Sequence, residues 1–222
     1  MYSAVSTAVV SPFLPVSGAG LKTVRFGPGQ GCAALRGLRQ RLFDEQGDDS
    51  HLQDDGLEAS ATTVAVVDRG EVVAALRIHA ADTAQIPRDL DALLRLERFA
   101  GTWPAETIVI GSRLTVLADY RIRPVIDMLL REAYRLVRDA GGRFGLIACA
   151  PELQALFAFY GFHEYLPPAI LPGGTAVLRM ALVCEYAAAF RASGSPLLDL
   201  VQQPDLGDSA HAWLAQAFPM LD

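Results

Sequence analysis

The sequence predicts an α+β fold, on three observations. Two β-rich runs, Thr62–Asp68 and Glu71–His79, are joined by the dipeptide Arg69-Gly70, the chemistry of a tight hairpin. A third run dense in β-branched residues, Thr107–Val116, leads through a long amphipathic segment to Phe144–Ala148, so that strand, helix and strand make one parallel crossover unit. Finally, 222 residues with 51% hydrophobic and only 20% charged side chains supply one substantial core with room for an appendage, which makes a single domain the default.

Taken in order, residues 1–20 are apolar but lack a basic leading segment and are interrupted by Pro12 and Pro15, so they read as a flexible or loosely docked arm rather than a signal peptide. A strand over Leu21–Phe26 gives way at Gly27-Pro28-Gly29 to a helix over Gln30–Glu45, with Leu35, Leu38, Arg39 and Leu42 at helical spacing. Gly47–Glu58 is acidic, with Asp48, Asp49, Asp54, Asp55 and Glu58, and reads as a loop or irregular helix beside a site. After the hairpin, a helical patch near Leu90–Leu96 precedes the central strand, Thr107–Val116. Its inner Gly111 marks either a bulge or a packing glycine. The loop Leu117–Arg123 opens a helix over Pro124–Ala140, with Pro124 at a position that tolerates proline and Gly141-Gly142 as its stop. A helix over Pro151–Tyr160 ends at Gly161-Phe162, the pairs Pro167-Pro168 and Pro172-Gly173-Gly174 read as turns, and Ala176–Cys184 reads as the last strand. Residues 185–222 read as a helical extension packed on a domain of residues 21–184.

Composition narrows the function. The net charge is −6 and Lys22 is the single lysine among 19 basic residues, so no polybasic tract is available for nucleic acid or an anionic membrane. No stretch reaches the length of an apolar membrane span. Cys32, Cys149 and Cys184 are odd in number, far apart and without metal-ligand spacing, which favours reduced thiols in a cytoplasmic protein, each read as a small buried hydrophobe. Cys149 read as a nucleophile lacks a histidine or acid at a suggestive position.

The motifs, in their order, carry a resemblance. The run from Arg41 to Gly47 (RLFDEQG), then Asp54-Asp55, then Asp68–Ile78 (DRGEVVAALRI), resembles the front half of the Gcn5-related N-acetyltransferases. Ser112–Val116 (SRLTV) followed by Tyr120–Arg123 (YRIR) resembles that superfamily's fourth strand and pyrophosphate loop, and Phe157–Phe162 (FAFYGF) its helix ending in Gly-Phe. The resemblance covers about Leu21–Cys184, and the Ser112-Arg113 pair is similar to the branch of acyl-homoserine-lactone synthases and N-acyl amino acid synthases. It implies a mixed, mostly antiparallel central sheet with flanking helices and an N-acyltransferase fed by a pantetheine thioester. An acyl carrier protein and coenzyme A are both possible donors, and the acceptor is a small amine. An acetyl-coenzyme A-dependent acetyltransferase and a non-catalytic pantetheine-binding module are the alternatives.

The resemblance also implies roles. The strands over 107–116 and 144–148 would part, freeing backbone near Leu114, Thr115 and Val116 for the pantetheine arm, with Arg121, Ile122, Arg123 and Val125 at the phosphates. Aligning Arg121 with the first position of the superfamily's loop puts Pro124 and Ile126 where small residues belong, so one amide donor is missing and the cradle is weakened. That tilts the reading towards a carrier protein, for which Arg121, Arg123, Arg131, Arg135 and Arg138 offer either a docking patch or an ordinary solvated helix face. Aminolysis needs a proton acceptor, for which Glu97 ranks first, ahead of Glu106, His79 and His163. The tyrosine that protonates the thiolate in many relatives is replaced by Phe157, leaving Tyr160 as a weak substitute. Ser112 and Arg113 complete the catalytic set, Arg113 through binding or orientation, with Arg77 and His79 at the acceptor. No metal and no permanently bound cofactor is expected, and the protein would act as a monomer or homodimer.

Overall fold

The computed structural model describes residues 20–47, 56–81 and 86–219. The N-terminal arm up to residue 19 and the acidic Asp48, Asp49, Asp54 and Asp55 lie outside the described residues. Along the chain the elements are β1 (Lys22–Phe26), α1 (Cys32–Gln46), β2 (Thr62–Asp68), β3 (Glu71–Ala80), α2 (Arg88–Leu94), α3 (Glu97–Ala100) and β4 (Ile108–Val116). They continue with α4 (Arg123–Asp139), β5 (Phe144–Cys149), α5 (Gln154–Phe159), β6 (His163–Ile170), β7 (Ala176–Val183), α6 (Ala187–Ser193) and α7 (Pro204–Ala217).

Seven strands form one sheet in the order β1-β2-β3-β4-β5-β7-β6. The β1–β2, β2–β3, β5–β7 and β6–β7 pairs are antiparallel. β4 and β5 are parallel, registered at Ile108↔Phe144, Val109↔Gly145 and Ile110↔Leu146, as a crossover through α4 requires. The expected hairpin forms with Asp68 opposite Glu71. Its two loop residues, Arg69 and Gly70, both have positive φ (50° and 91°), the twist-matched geometry of a two-residue hairpin turn.

The sequence reading missed one strand. Pro167-Pro168, read as a turn, lies inside β6, where the register with β7 slips between Leu166 and Ala169. β6 ends the sheet order, and an edge strand tolerates residues that donate no hydrogen bond. Smaller corrections follow local chemistry. The patch at 90–96 is two helices, α2 and α3, separated at Arg95, whose φ is 54°. Thr107 belongs to a 3₁₀ turn before β4, its N–H and hydroxyl both donating to the Pro104 carbonyl. The helix at 151–160 opens as a 3₁₀ turn over Pro151–Leu153 before α5. At the end of α4 the stop is steric as well as conformational: a Cβ on Gly142 would lie 2.8 Å from the Val137 carbonyl oxygen.

The chain divides into two compact units, one containing the described residues up to His79 with Gly111–Ala133, the other Ala80–Ile110 with the described residues from Tyr134 on. In the first, α1 buries Leu35, Leu38 and Leu42, a helical stripe in which each leucine contributes about 2 kcal/mol of transfer free energy. In the second, Phe99, Phe144 and Phe190 are fully buried. Phe99 and Phe144 join Trp103, Trp213 and Phe218 in one aromatic cluster. The C-terminal segment is tied into this unit by Glu185, which is 2% exposed. Its carboxylate accepts from Tyr134 Oη and from the N–H groups of Gln202 and Gln203, the latter two at 2.5 Å. Among the described residues no helix is long and apolar enough to cross a membrane.

Candidate functional site

The first unit gathers most of the residues singled out from the sequence onto the second half of β4 and what surrounds it. The backbone of β4 breaks its extended course at Arg113, whose φ of 52° lies in the left-handed region that a long side chain rarely occupies. Gly111, which the sequence marks as either a bulge or a packing glycine, lies two residues before this break, which falls on a residue type that gives no sequence signal for it. Thr115, 3% exposed, donates its hydroxyl to the Arg113 carbonyl at 3.2 Å and so ties the distortion down. With one residue out of the strand conformation, simple alternation no longer applies. Ser112 and Arg113 are both half-buried, and Leu114, Thr115 and Val116 are buried in succession.

Beside this break runs a charged network. Arg77, 3% exposed on β3, donates from Nε to Ser112 Oγ at 2.9 Å, and its Nη1 lies 3.7 Å from Glu58 Oε1. Arg39 of α1 reaches the same Glu58 oxygen. A guanidinium this deeply enclosed needs a carboxylate, and Glu58, flanked by two arginines, supplies it. Glu58 and Arg39 were not among the residues assigned roles from the sequence. The available signal was Arg39 itself, an arginine placed on the apolar stripe of α1. His79, also assigned to the acceptor, is 5% exposed near the end of β3.

The loop after β4 is held by carboxylates. The N–H of Ala118 donates to Glu45 Oε2 at 3.2 Å, and Tyr120 Oη donates to Asp68 Oδ2 at 2.8 Å. That hydrogen bond, ahead of burial and the charge of Asp68, raises the Tyr120 pKa and keeps its proton in place. Arg121 donates from Nε back to the Val116 carbonyl, and Arg123 lies 3.7 Å from Asp127 one turn along α4. At the start of α4, Pro124 has no N–H, while those of Val125 and Ile126 both reach the Ile122 carbonyl. Val125 and Ile126 are buried, so neither offers exposed backbone to a ligand.

The other assigned residues belong to the second unit. Glu97 begins α3 and is ion-paired with Arg95 at 2.6 Å, both half exposed. Tyr160, at the end of α5, is 1% exposed, and Phe157 is buried on the same helix. Glu106 is exposed. His163 is shielded, and burial first, then the neighbouring His211, lowers its pKa. Burial pushes the thiols of Cys149 and Cys184 up to about 12, which fits core thiols rather than nucleophiles. Cys32 departs from the expectation of a buried thiol: it is exposed at the first turn of α1, its sulfur 3.2 Å from the Gly29 carbonyl. On α4, Arg138 is bound to Asp139 and to the Leu200 carbonyl, so it does not contribute an open charge to a docking face.

No family model matches the sequence, and no curated protein matches it. Its fold, by contrast, is shared with solved acyltransferases. FeeM, an N-acyl amino acid synthase from uncultured soil microbes, superposes with a TM-score of 0.65 at 14% identity, over 83% of this chain and 99% of that one. The coenzyme A-dependent acyl-homoserine lactone synthase BjaI gives 0.55 at 14% identity, over 87% of this chain and 99% of that one. An acyl-CoA N-acyltransferase from Pseudomonas aeruginosa gives 0.53 at 17% identity, over 72% and 98%. The fold is therefore the GNAT-like α+β fold that the sequence motifs implied.

Proposed function

We propose that the chain is an N-acyltransferase that moves an acyl group from a pantetheine thioester, borne by an acyl carrier protein, to the amine of a small molecule. The observation that carries this reading is the left-handed Arg113 in the middle of β4, held by Thr115 and flanked by the Arg77–Ser112 hydrogen bond. A strained non-glycine residue inside a strand costs about 1–3 kcal/mol, and such positions cluster at sites where backbone is set aside for a ligand. Its coincidence with the Ser-Arg pair, in a fold shared with N-acyltransferases, favours acyl transfer over other chemistry.

In the proposed reaction the neutral amine attacks the thioester carbonyl carbon, and the backbone N–H groups of Leu114–Val116 receive the pantetheine amides and the developing oxyanion. Collapse of the tetrahedral intermediate breaks the C–S bond and leaves the amide product. The ammonium proton passes to water or to a carboxylate within reach of it. Because the Tyr160 hydroxyl is enclosed, water is the proposed proton source for the thiolate. Arg113 and Ser112 orient the donor, and Arg77 with His79 lines the acceptor side. Depletion of amide donors at the start of α4 supports a carrier protein over free coenzyme A, because a carrier presents a single phosphate and brings its own docking surface. The free cysteines accord with the cytoplasmic location proposed here.

The test is incubation of the chain with acylated carrier proteins and a panel of amines, followed by mass spectrometry of carrier and product. Loss of the acyl mass from the carrier together with an N-acyl amine is the expected result. Absence of turnover with every acyl-carrier and acyl-coenzyme A would reduce the chain to a binding module.

A further inference from the structure

A long helix whose first N–H groups stand open is an anion site, and a polyphosphate approaching it gains from both the donors and the helix dipole. The start of α4 is arranged against this. Pro124 contributes no donor, and Val125, whose N–H would otherwise stand open, directs it to the Ile122 carbonyl. One of the loop's N–H groups, that of Ala118, is already taken by the carboxylate of Glu45, which comes from the far end of α1. Asp68 also reaches the loop, holding Tyr120, and Asp119 and Asp127 add two further acids. Against these stand Arg69, Arg121 and Arg123, of which Arg121 is turned back to Val116 and Arg123 faces Asp127. Four carboxylates and three guanidinium groups leave the loop without the positive excess that a pyrophosphate needs.

We infer that Glu45 is a donor-specificity residue: by placing a negative charge on the Ala118 N–H it repels a pyrophosphate at the start of α4 and so selects against coenzyme A. The inference rests on the proposed use of a pantetheine donor at this loop and names the side chain that discriminates between its two forms. Glu45 is exposed, so its carboxylate is solvated and its effect on a doubly charged ligand is a several-fold change in affinity rather than an absolute block. It acts on binding and takes no part in the chemical step.

The experiment is calorimetric titration of coenzyme A and of pantetheine into the wild-type chain and the Glu45→Gln variant at low and moderate salt. Gln keeps an oxygen for the Ala118 N–H and removes the charge. The expected result is a several-fold gain in coenzyme A affinity in Glu45→Gln, larger at low salt, with the affinity for pantetheine, which carries no phosphate, unchanged. Equal coenzyme A affinity in the two proteins overturns the inference, as does a failure of both to bind it. The proposed function is read separately from turnover of an acyl-N-acetylcysteamine thioester, which has no phosphate. If that thioester and every acyl-carrier are inert, the enzyme assignment fails while the affinity comparison still decides the role of Glu45.

Discussion

At the scale of single residues, the candidate site depends on a few side chains that hold one another. Arg77 is enclosed, and its charge is compensated by Glu58 while its Nε is taken by Ser112. Replacing it by methionine fills similar space and removes the charge, but takes one of two arginines from Glu58 among the described residues and leaves Ser112 without its donor. Breaking a buried pair by deleting one partner costs about 3 kcal/mol, so Arg77→Met should lower the denaturant midpoint substantially with an unchanged slope. A midpoint shift within error of zero would show that the network contributes nothing to stability. The Ser112-Arg113 pair was legible because it stands in the run that carries the family resemblance, and Arg113 also because an arginine in an apolar strand is chemically conspicuous, while Arg77 came with the roles that the resemblance implies. The sequence did not announce Glu58, which was one acid among several in a polar stretch, nor the backbone angle at Arg113. A left-handed φ leaves a trace in sequence only when glycine or asparagine occupies it, which is why the break at Arg113 was not legible while Gly111, two residues earlier, drew the choice between bulge and packing glycine.

At the scale of elements, the hairpin β2–β3 and the helix α4 were legible because a two-residue turn and a 3.6-residue period are strong local signals. β6 was not, because its proline pair outweighed everything around it until edge position removed the need for those N–H groups. The C-terminal helix α7 makes a sharper test of packing. A Cβ on Gly207 would come within 2.2 Å of the Glu185 carbonyl carbon and oxygen, which are backbone atoms and cannot swing aside. Gly207→Ala should therefore destabilise the chain by about 1–3 kcal/mol, although alanine is the better helix former, and thermal unfolding of the variant measures it. His163, at the start of β6, gives a pH signature. Burial, helped by His211, holds its folded pKa below the ordinary histidine value of about 6.5, so the unfolded chain binds the proton more readily. Its contribution to stability is complete above that value and is lost as the pH falls through it. A stability profile measured between pH 7.5 and 5 should decline, and His163→Phe should flatten the decline. An identical slope in the variant would assign the acid sensitivity to another group.

At the scale of the whole molecule, fold and function were read with unequal resolution. The order of strands and helices, with one parallel crossover, is set by patterning distributed along the chain, so local errors at Thr107, Arg95 or Pro167 did not disturb it. In the proposed function the donor is decided by a handful of groups at the start of α4, where Pro124 was visible in sequence. The carboxylates that come from α1 and β2, Glu45 and Asp68, are brought there only by folding. The same holds for the proposed acceptor side, where Arg77, Glu58 and Arg39 meet from three separate elements. The most direct test of the account is a crystal structure of the chain with a non-transferable pantetheine thioether bound. The account predicts pantetheine amides hydrogen-bonded to the backbone of Leu114–Val116, with Arg113 still left-handed beside them. Pantetheine bound away from β4, or a β4 that straightens at Arg113 once the ligand is present, would contradict it.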